Sequence, residues 1–595
     1  MLAKNLRSLT SILLATASPI AAMAAAPSAN TPIQHVIIVV GENHTFDNLF
    51  GTYRPSAGQT IDNLLSRGIV HADGSPGPNF AAAAQNIGSA TGRYKAVTDS
   101  TGAYSVLPQP WTTYGIGLPQ GQPDTRFPAN MPNGPYQISW YVPYAAYTGD
   151  PVHRFFQMWQ DVDGGLNDKF VWVEETIGTG SNGAAPPQGG FNPQEGAISM
   201  GFYNMNPYTD AAGNANNGDA QIFKSLAAQY AISDNYHQGV MGGTGANFQM
   251  LVTGDAAFFT NPSGKPGTPY GNQIENPDDW KGQNNYYKQD GYSGGSYVNC
   301  ADPSQPGVAG VLKQLKSQKI SNPNCDAGHY YLVNNYSMYW NQDGSTNQLG
   351  SDKFVLPPQS NPTIADIMTN AGLSWKYYSA DRGNDVTRFA TNVDGIPLLF
   401  HSYCGICDPL AGYTSIETTA QVQNLTNYGA FLDDVAGGNL PAVSFVRPFE
   451  ALAGHPADST SDQYEYFLLD LIAKVQANPS LWANTAIFIT TDEGGGYYDS
   501  GYIQAVDFFG DGTRIPMIVV SPYAKQGYVD HTYTDHVSLL KFIEANWSLP
   551  HISNRSRDNL PNPVQSARKT PYQPVNRPAI GDMMSFFDFS QPARR

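Results

Sequence analysis

The sequence predicts an α/β layered domain, on three observations. Continuous apolar, β-branched runs occur at 33–40 (IQHVIIVV), 485–491 (TAIFITT) and 514–522 (RIPMIVVSP). Amphipathic stretches of helical period lie at 221–231, 464–476 and 536–547. The first two runs stop abruptly at polar residues, Gly41-Glu42-Asn43-His44 and Asp492-Glu493-Gly494. A parallel strand covered by helices on both faces reads as an unbroken apolar run. Strands alternating with helices are the signature of α/β layering.

The elements follow in chain order. Lys4 and Arg7 precede an apolar run, SILLATASPIAAMA, and Ala22-Met23-Ala24 fits a cleavage site. Residues 1–24 are therefore expected to be a secretory signal peptide, because the run falls short of the roughly 20 residues of a membrane span. The run at 33–40 is the first buried parallel strand. A helix is expected at 221–231, and another over 246–252 after the flexible Gly242-Gly243-Thr244-Gly245. Residues 257–360 are rich in Asn, Gln, Gly, Tyr and Ser, and are expected to form an inserted cap, lid or loop decoration. The runs at 485–491 and 514–522 are read as further parallel strands, with a helix over 536–547 closing the core. The two polar strand ends lie about 450 residues apart, so the first and last thirds must pack together. Residues 25–595 are thus expected to form a single discontinuous domain.

Composition narrows the function. The formal charge of -17 becomes -19 once Lys4 and Arg7 leave with the signal peptide. That argues against a nucleic-acid or anionic-membrane binder working through bulk charge. Charged residues are only 14% of the chain, against about a quarter in typical domains. No stable membrane span is expected. Cys300, Cys325, Cys404 and Cys407 allow three disulfide connectivities, of which Cys300–Cys325 with Cys404–Cys407 is the most local. Half a zinc site or a redox pair is the alternative for Cys404-Gly-Ile-Cys407.

The polar strand ends carry the chemistry. Open α/β sheets bind ligands at the carboxyl ends of their strands. Acids gathered there repel one another unless a cation sits among them, which a hard divalent ion with oxygen ligands satisfies. Capping of the following helix is the alternative for each acid taken alone. Thr244 lies where a helix begins. It is either an N-cap or a nucleophile, at a place where free N–H groups attract phosphate.

Six ordered segments carry a family resemblance. GENHTFDNLFGTY (41–53) resembles the E-N-x-[ST]-F-D-x-x-F-G opening of the bacterial phosphoesterase family that includes acid phosphatases and phospholipases C. DNYHQGVMGGTGAN (234–247) resembles its nucleophile segment, LPAVSFVRPFEALAGHPADS (440–459) its G-H-P block, and TTDEGGGYYD (490–499) its D-E-x-G-G-x-x-D block. RIPMIVVSPYA and TDHVSLLKFIE resemble the segments that close its core. The resemblance covers residues 33 to about 560. It implies an alkaline-phosphatase-like three-layer α/β/α sandwich. It also implies a divalent metal (calcium, magnesium or zinc) on Glu42, Asn43, Thr244, Asp492 and Glu493, with Thr244 the nucleophile. His455 would be a proton donor or phosphoryl ligand, His153 a further pocket histidine, and Asn247 a phosphate contact. The chain departs from the family pattern at Glu493, Phe248 and Ser500.

Arg447, Lys376 and Arg382 are further candidates for phosphate, since guanidinium matches it, although Arg382 reads better as a solvated cation. His44, His237, His401, His531 and His536 are expected to be structural or surface histidines. The resulting expectation is a secreted or periplasmic, metal-dependent phosphoester hydrolase. An acid-phosphatase-type phosphomonoesterase acting through phospho-threonine comes first, on a small phosphate ester. A phospholipase C on a phospholipid head group comes second, and an inactive binding protein on the same fold third.

Overall fold

The computed structural model describes residues 27–594 except 90–92, 111–122, 177–195, 278–293, 385–391, 394–395, 398–402, 457 and 566–570. The signal-peptide reading and His401 lie outside the described residues. Eight strands form the main sheet: β1 (His35–Gly41), β2 (Ala231–Ser233), β3 (Trp375–Ser379), β4 (Leu425–Thr426), β5 (Val443–Arg447), β6 (Thr485–Thr491), β7 (Met517–Val520) and β8 (Tyr528–Asp530). Their order is β4-β3-β5-β1-β6-β7-β2-β8. The helices that matter here are α1 (Phe155–Val162), α2 (Gln221–Gln229), α3 (Thr244–Thr253), α4 (Ile364–Asn370), α5 (Tyr428–Gly437), α6 (Ser461–Gln476) and α7 (His536–Trp547).

Alternate residues of β1 go to opposite cores. Val36, Ile38 and Val40 pack with α1, α3, α4 and α7. Ile37 and Val39 pack with α2, α5 and α6. Both faces of the sheet are therefore covered, which gives three α/β/α layers and explains why the strand sequences do not alternate with polar residues. The chain adopts the expected fold class.

One strand departs from expectation. β7 runs antiparallel to both β6 and β2, although its sequence reads as a parallel strand. A parallel connection needs a crossover of a dozen or more residues, usually a helix, to carry the chain back to the starting end. Residues 492–516 form no named helix or strand. The chain stays at the carboxyl end of β6 and enters β7 from there, so the direction reverses.

The segment 257–360 places no described strand in the main sheet; it holds the helix Val308–Ser317 and the pair Tyr297–Val298 with Tyr331–Leu332. It lies against the loop before α3. A Cβ on Gly242 would meet the Val333 carbonyl oxygen at 1.7 Å, so only glycine permits this approach. Disulfides join Cys300 to Cys325 and Cys404 to Cys407. Cys300–Cys325 thus closes a loop wholly inside residues 257–360.

The helix packing carries a titratable group. Glu465 on α6 is buried, and its Oε1 accepts from Phe223 N of α2 at 2.7 Å. Burial pushes its carboxyl up from 4.5 to about 8. An acid raised in this way contributes stability that is fully present below pH 4.5 and lost as pH rises through 8. The loss is at most a few kcal/mol, at about 1.4 kcal/mol per unit. Glu465→Gln keeps the acceptor and removes the proton. Urea unfolding should show this variant gaining more over the wild type at pH 8.5 than at pH 5. Equal differences at the two pH values would place the titration elsewhere.

Candidate active site

β1 and β6 are neighbours in register, with Gly41 opposite Thr491. Their carboxyl ends therefore deliver Glu42-Asn43 and Asp492-Glu493 to one place, as the sequence suggested. All four are buried. Asn43 has φ 62, a left-handed conformation that asparagine tolerates better than most residues. Gly495 (φ 58) must be glycine, since a Cβ there would lie 2.6 Å from the Asn43 Cβ. His536, the first residue of α7, bonds the Asp492 carbonyl through Nε2 and the Tyr236 hydroxyl through Nδ1.

Thr244 joins this cluster from the far side. It is the first residue of α3 with Gly243 as N-cap, so it does not cap the helix itself. Its Oγ1 donates to Glu493 Oε1 at 3.1 Å. The helix end offers fewer free amides than expected. Gly245 N donates to Asn335 Oδ1 at 2.6 Å, while Ala246 N and Asn247 N reach the Gly243 carbonyl.

Two histidines flank the cluster. His153 precedes α1. Its Nδ1 donates to the Pro151 carbonyl at 2.7 Å, and its Nε2 lies 3.9 Å from Glu493 Oε1. His455 Nδ1 donates to the Pro456 carbonyl at 2.7 Å; its Nε2 lies 3.1 Å from Asn43 Nδ2 and 3.7 Å from Glu42 Oε2. Burial disfavours the His455 imidazolium, but Asp150, Glu42, Asp458 and Glu450 outweigh burial and raise it to about 10. An imidazolium cannot accept from the Asn43 amide. The carboxylate field and that hydrogen bond pull in opposite directions, and a cation among the acids would reconcile them.

The donor set fits a cation on independent grounds. Asn43 Oδ1, Asp492 Oδ2 and Glu493 Oε2 are buried oxygens with no hydrogen-bond partner. Burial, then neighbouring acids, pushes the Asp492 and Glu493 carboxyls well above their usual range. Orphaned acceptors of this kind are costly unless a cation or a proton meets them. Glu42 is held differently. Its Oε1 accepts from Arg447 Nη2 and touches Cys407 Sγ at 3.2 Å. Because Cys407 is in a disulfide, that is a sulfur–oxygen contact without a proton.

Other expected residues are placed less directly. Arg447 ends β5 buried, committed to Glu42, Glu450 and the Pro448 carbonyl. It backs an acid of the cluster. Asn247 spends its amide on the preceding loop: Oδ1 accepts from Val240 N, and Nδ2 donates to the Val240 and Gly242 carbonyls. Lys376 pairs with Asp434. Arg382, expected to be solvated, is instead 7% exposed and bonded to Asp408, because a buried carboxylate holds it in. His44, His237 and His536 are buried and hydrogen-bonded, as structural histidines should be. His531 pairs with Asp234.

Sequence reasoning missed Asp150 and Asn335. Asp150 Oδ1 lies 3.8 Å from His153 Nδ1. A signal existed in the spacing Asp150-x-x-His153. Asn335 sits in a loop-rich stretch where nothing distinguishes it.

Buried acids, a hydroxyl and two histidines thus meet at the carboxyl ends of parallel strands, where open α/β sheets bind their ligands. Residues 33–550 match the Phosphoesterase family. The chain belongs to that family and is a hydrolase acting on phosphoester bonds. It is similar to the non-hemolytic phospholipase C of Burkholderia pseudomallei, at 29% identity over 39% of this chain and 36% of that protein. Phospholipase C B of Mycobacterium tuberculosis is 21% identical over 95% of this chain and 80% of its own length. A probable acid phosphatase of Kluyveromyces lactis is 25% identical over 35% of this chain and 47% of its own. The matches to the first and third thus cover less than half of those relatives.

Proposed function

We propose that the protein is an exported phosphomonoesterase that works through a phospho-threonine on Thr244. The carrying observation is the Thr244 hydroxyl, hydrogen-bonded to Glu493 Oε1 inside the cluster of orphaned acid oxygens. Glu42, Asn43, Thr244, Asp492 and Glu493 would hold a divalent ion (calcium, magnesium or zinc). Such an ion supplies charge stabilisation for the phosphoryl oxygens. Thr244 Oγ1 releases its proton toward Glu493 Oε1 as it bonds to phosphorus, and the P–O bond to the ester oxygen breaks as that oxygen takes a proton from His455 and departs as the alcohol. His455 and His153, which flank the acids, would face the phosphoryl oxygens or the leaving oxygen. Water then cleaves the phospho-threonine, giving inorganic phosphate and the free hydroxyl.

Enclosure supports a monoester. Thr244 is 3% exposed and Glu493 fully buried. A terminal phosphoryl group can enter such a site with one ester arm, whereas a diester must accommodate two. A phospholipase C is the second reading, favoured by a relative of that name matching 95% of this chain. No described helix is long and apolar enough to cross a membrane. The two disulfides support secretion or a periplasmic location, because disulfides persist in oxidising compartments.

Purified protein should be offered p-nitrophenyl phosphate, p-nitrophenyl phosphocholine and phosphatidylcholine, with and without a chelator. The monoester should be turned over at least about 100-fold more efficiently, a gap of roughly 3 kcal/mol in transition-state binding. Chelation should abolish turnover and added metal restore it. Preference for the choline esters would replace this reading with the second. No turnover of any ester with metal supplied would remove both.

A further inference from the structure

A second acid–histidine group lies beyond the far half of α7. The helix ends at Ser548 (φ 52), and Leu549 N turns back to the Glu544 carbonyl at 2.9 Å. The following chain folds against the helix and closes in a short 3-10 turn, Arg557–Asn559. This return brings His551 and Asp558 to Glu544. His551 Nδ1 lies 3.1 Å from Glu544 Oε2 and 3.8 Å from Asp558 Oδ1. One ligand atom from each residue lies within 4.8 Å of the other two.

Three observations point to a ligand. Glu544 is 5% exposed, and its Oε1 is buried with no hydrogen-bond partner. Asp558 is almost fully buried and is oriented by Ile552 N, which donates to its Oδ2 at 2.8 Å. Neighbouring cations are committed elsewhere. Lys541 donates to the Leu560 and Ile580 carbonyls at 2.7 Å each, and Arg557 bonds Asp507, Asp511 and the Gly239 carbonyl. Two buried carboxyls therefore face one another, with the nearby Lys541 ammonium hydrogen-bonded to carbonyls.

We propose that Glu544, His551 and Asp558 form a second metal site, for a zinc-type divalent ion, separate from the cluster at Glu42 and Glu493. One imidazole nitrogen with two carboxylates is a donor set that suits zinc, whereas calcium and magnesium prefer oxygen alone. A tetrahedral ion with bonds of about 2.0–2.1 Å sets its ligands about 3.3 Å apart, and the distances of 3.1 and 3.8 Å bracket that value. The His551 side chain is 56% exposed, so the ion enters from solvent and water completes its shell. The ion staples the carboxyl end of α7 to the 549–560 return. That return carries Arg557, whose guanidinium also lies 3.7 Å from Asp535, the N-cap of α7.

The test uses the full chain, stripped with chelator and titrated with Zn2+ alone. After desalting, the wild type should retain one more zinc per chain than His551→Ala, by elemental analysis. Zn2+ should raise the melting temperature of the wild type more than that of His551→Ala. Co2+ should give the wild type a visible absorption band that the variant lacks. Because His551 is at the surface, the variant should fold. Turnover of p-nitrophenyl phosphate should be the same in both proteins. Glu544→Gln should lose the same equivalent. Equal zinc content and equal melting shifts in wild type and variant would overturn the site, leaving a carboxyl pair that shares a proton. Retention of Ca2+ with no retention of Zn2+ would overturn the assignment to zinc.

Discussion

Thr244→Ala should lower turnover of p-nitrophenyl phosphate by roughly 10^4-fold or more, as removal of a nucleophile does in other hydrolases. The change removes one hydroxyl and its bond to Glu493. It leaves the α3 N-cap at Gly243, so the helix keeps its start. Stability should change by about 1 kcal/mol, the scale of one buried hydrogen bond. Circular dichroism and the melting temperature check that the fold survives. Thr244→Ser keeps an oxygen in place and should recover a measurable part of the rate. Rapid acid quenching should trap phosphate on the wild type and none on the alanine variant. A Thr244→Ala enzyme with wild-type turnover would dismiss Thr244 as nucleophile and leave the cluster to activate water directly.

Arg514→Met should destabilise the protein by about 3–5 kcal/mol, the cost of breaking a buried ion pair by deleting one partner. Arg514 is almost completely buried. Its Nε and Nη2 bond both Asp499 oxygens at 2.8 and 3.0 Å, and Nη2 lies 3.2 Å from Asp47 Oδ2. Nη1 donates to the Asp62 and Asp234 carbonyls, and the guanidinium stands over the Phe46 ring at 5.0 Å. Methionine preserves volume but strands two buried acids. Urea unfolding would report the loss. Adding Asp499→Asn to Arg514→Met should return part of the stability, because it removes one stranded charge; a packing defect alone would not be repaired. Arg514→Lys keeps the charge without the fork and should fall between. If Arg514→Met were as stable as wild type, the ion pair would contribute nothing.

Much of this architecture could be read from the residues. β1 and β6 are unbroken apolar runs because both their faces are buried, and α7 shows its helical period over 536–547. The direction of β7 could not be read, because an apolar run is the same in either direction. Only the absence of a crossover helix decides it. At the site, Glu42, Asn43, Asp492 and Glu493 were legible because they terminate strands. Asn247 and Arg447 were legible as residue types, but sequence does not say where a side chain points. One faces the loop behind it and the other an acid. Asp150 and Asn335 come from loops with no periodic signal, and only the folded chain brings them near Glu493 and Thr244.

The position of β1 sets a timetable for synthesis. Its carboxyl end meets partners 412 and 453 residues further on, as the contacts from Asn43 to His455 and from Thr45 to Tyr498 show. Translation at about 5–20 residues per second takes on the order of 20–90 s to reach them. Throughout most of that interval the seven-residue strand (HVIIVVG) lacks both of its edge partners, β5 and β6. The hazard is greatest in the nascent chain, where a short apolar strand can pair with another copy. Refolding from denaturant should therefore succeed best at low concentration.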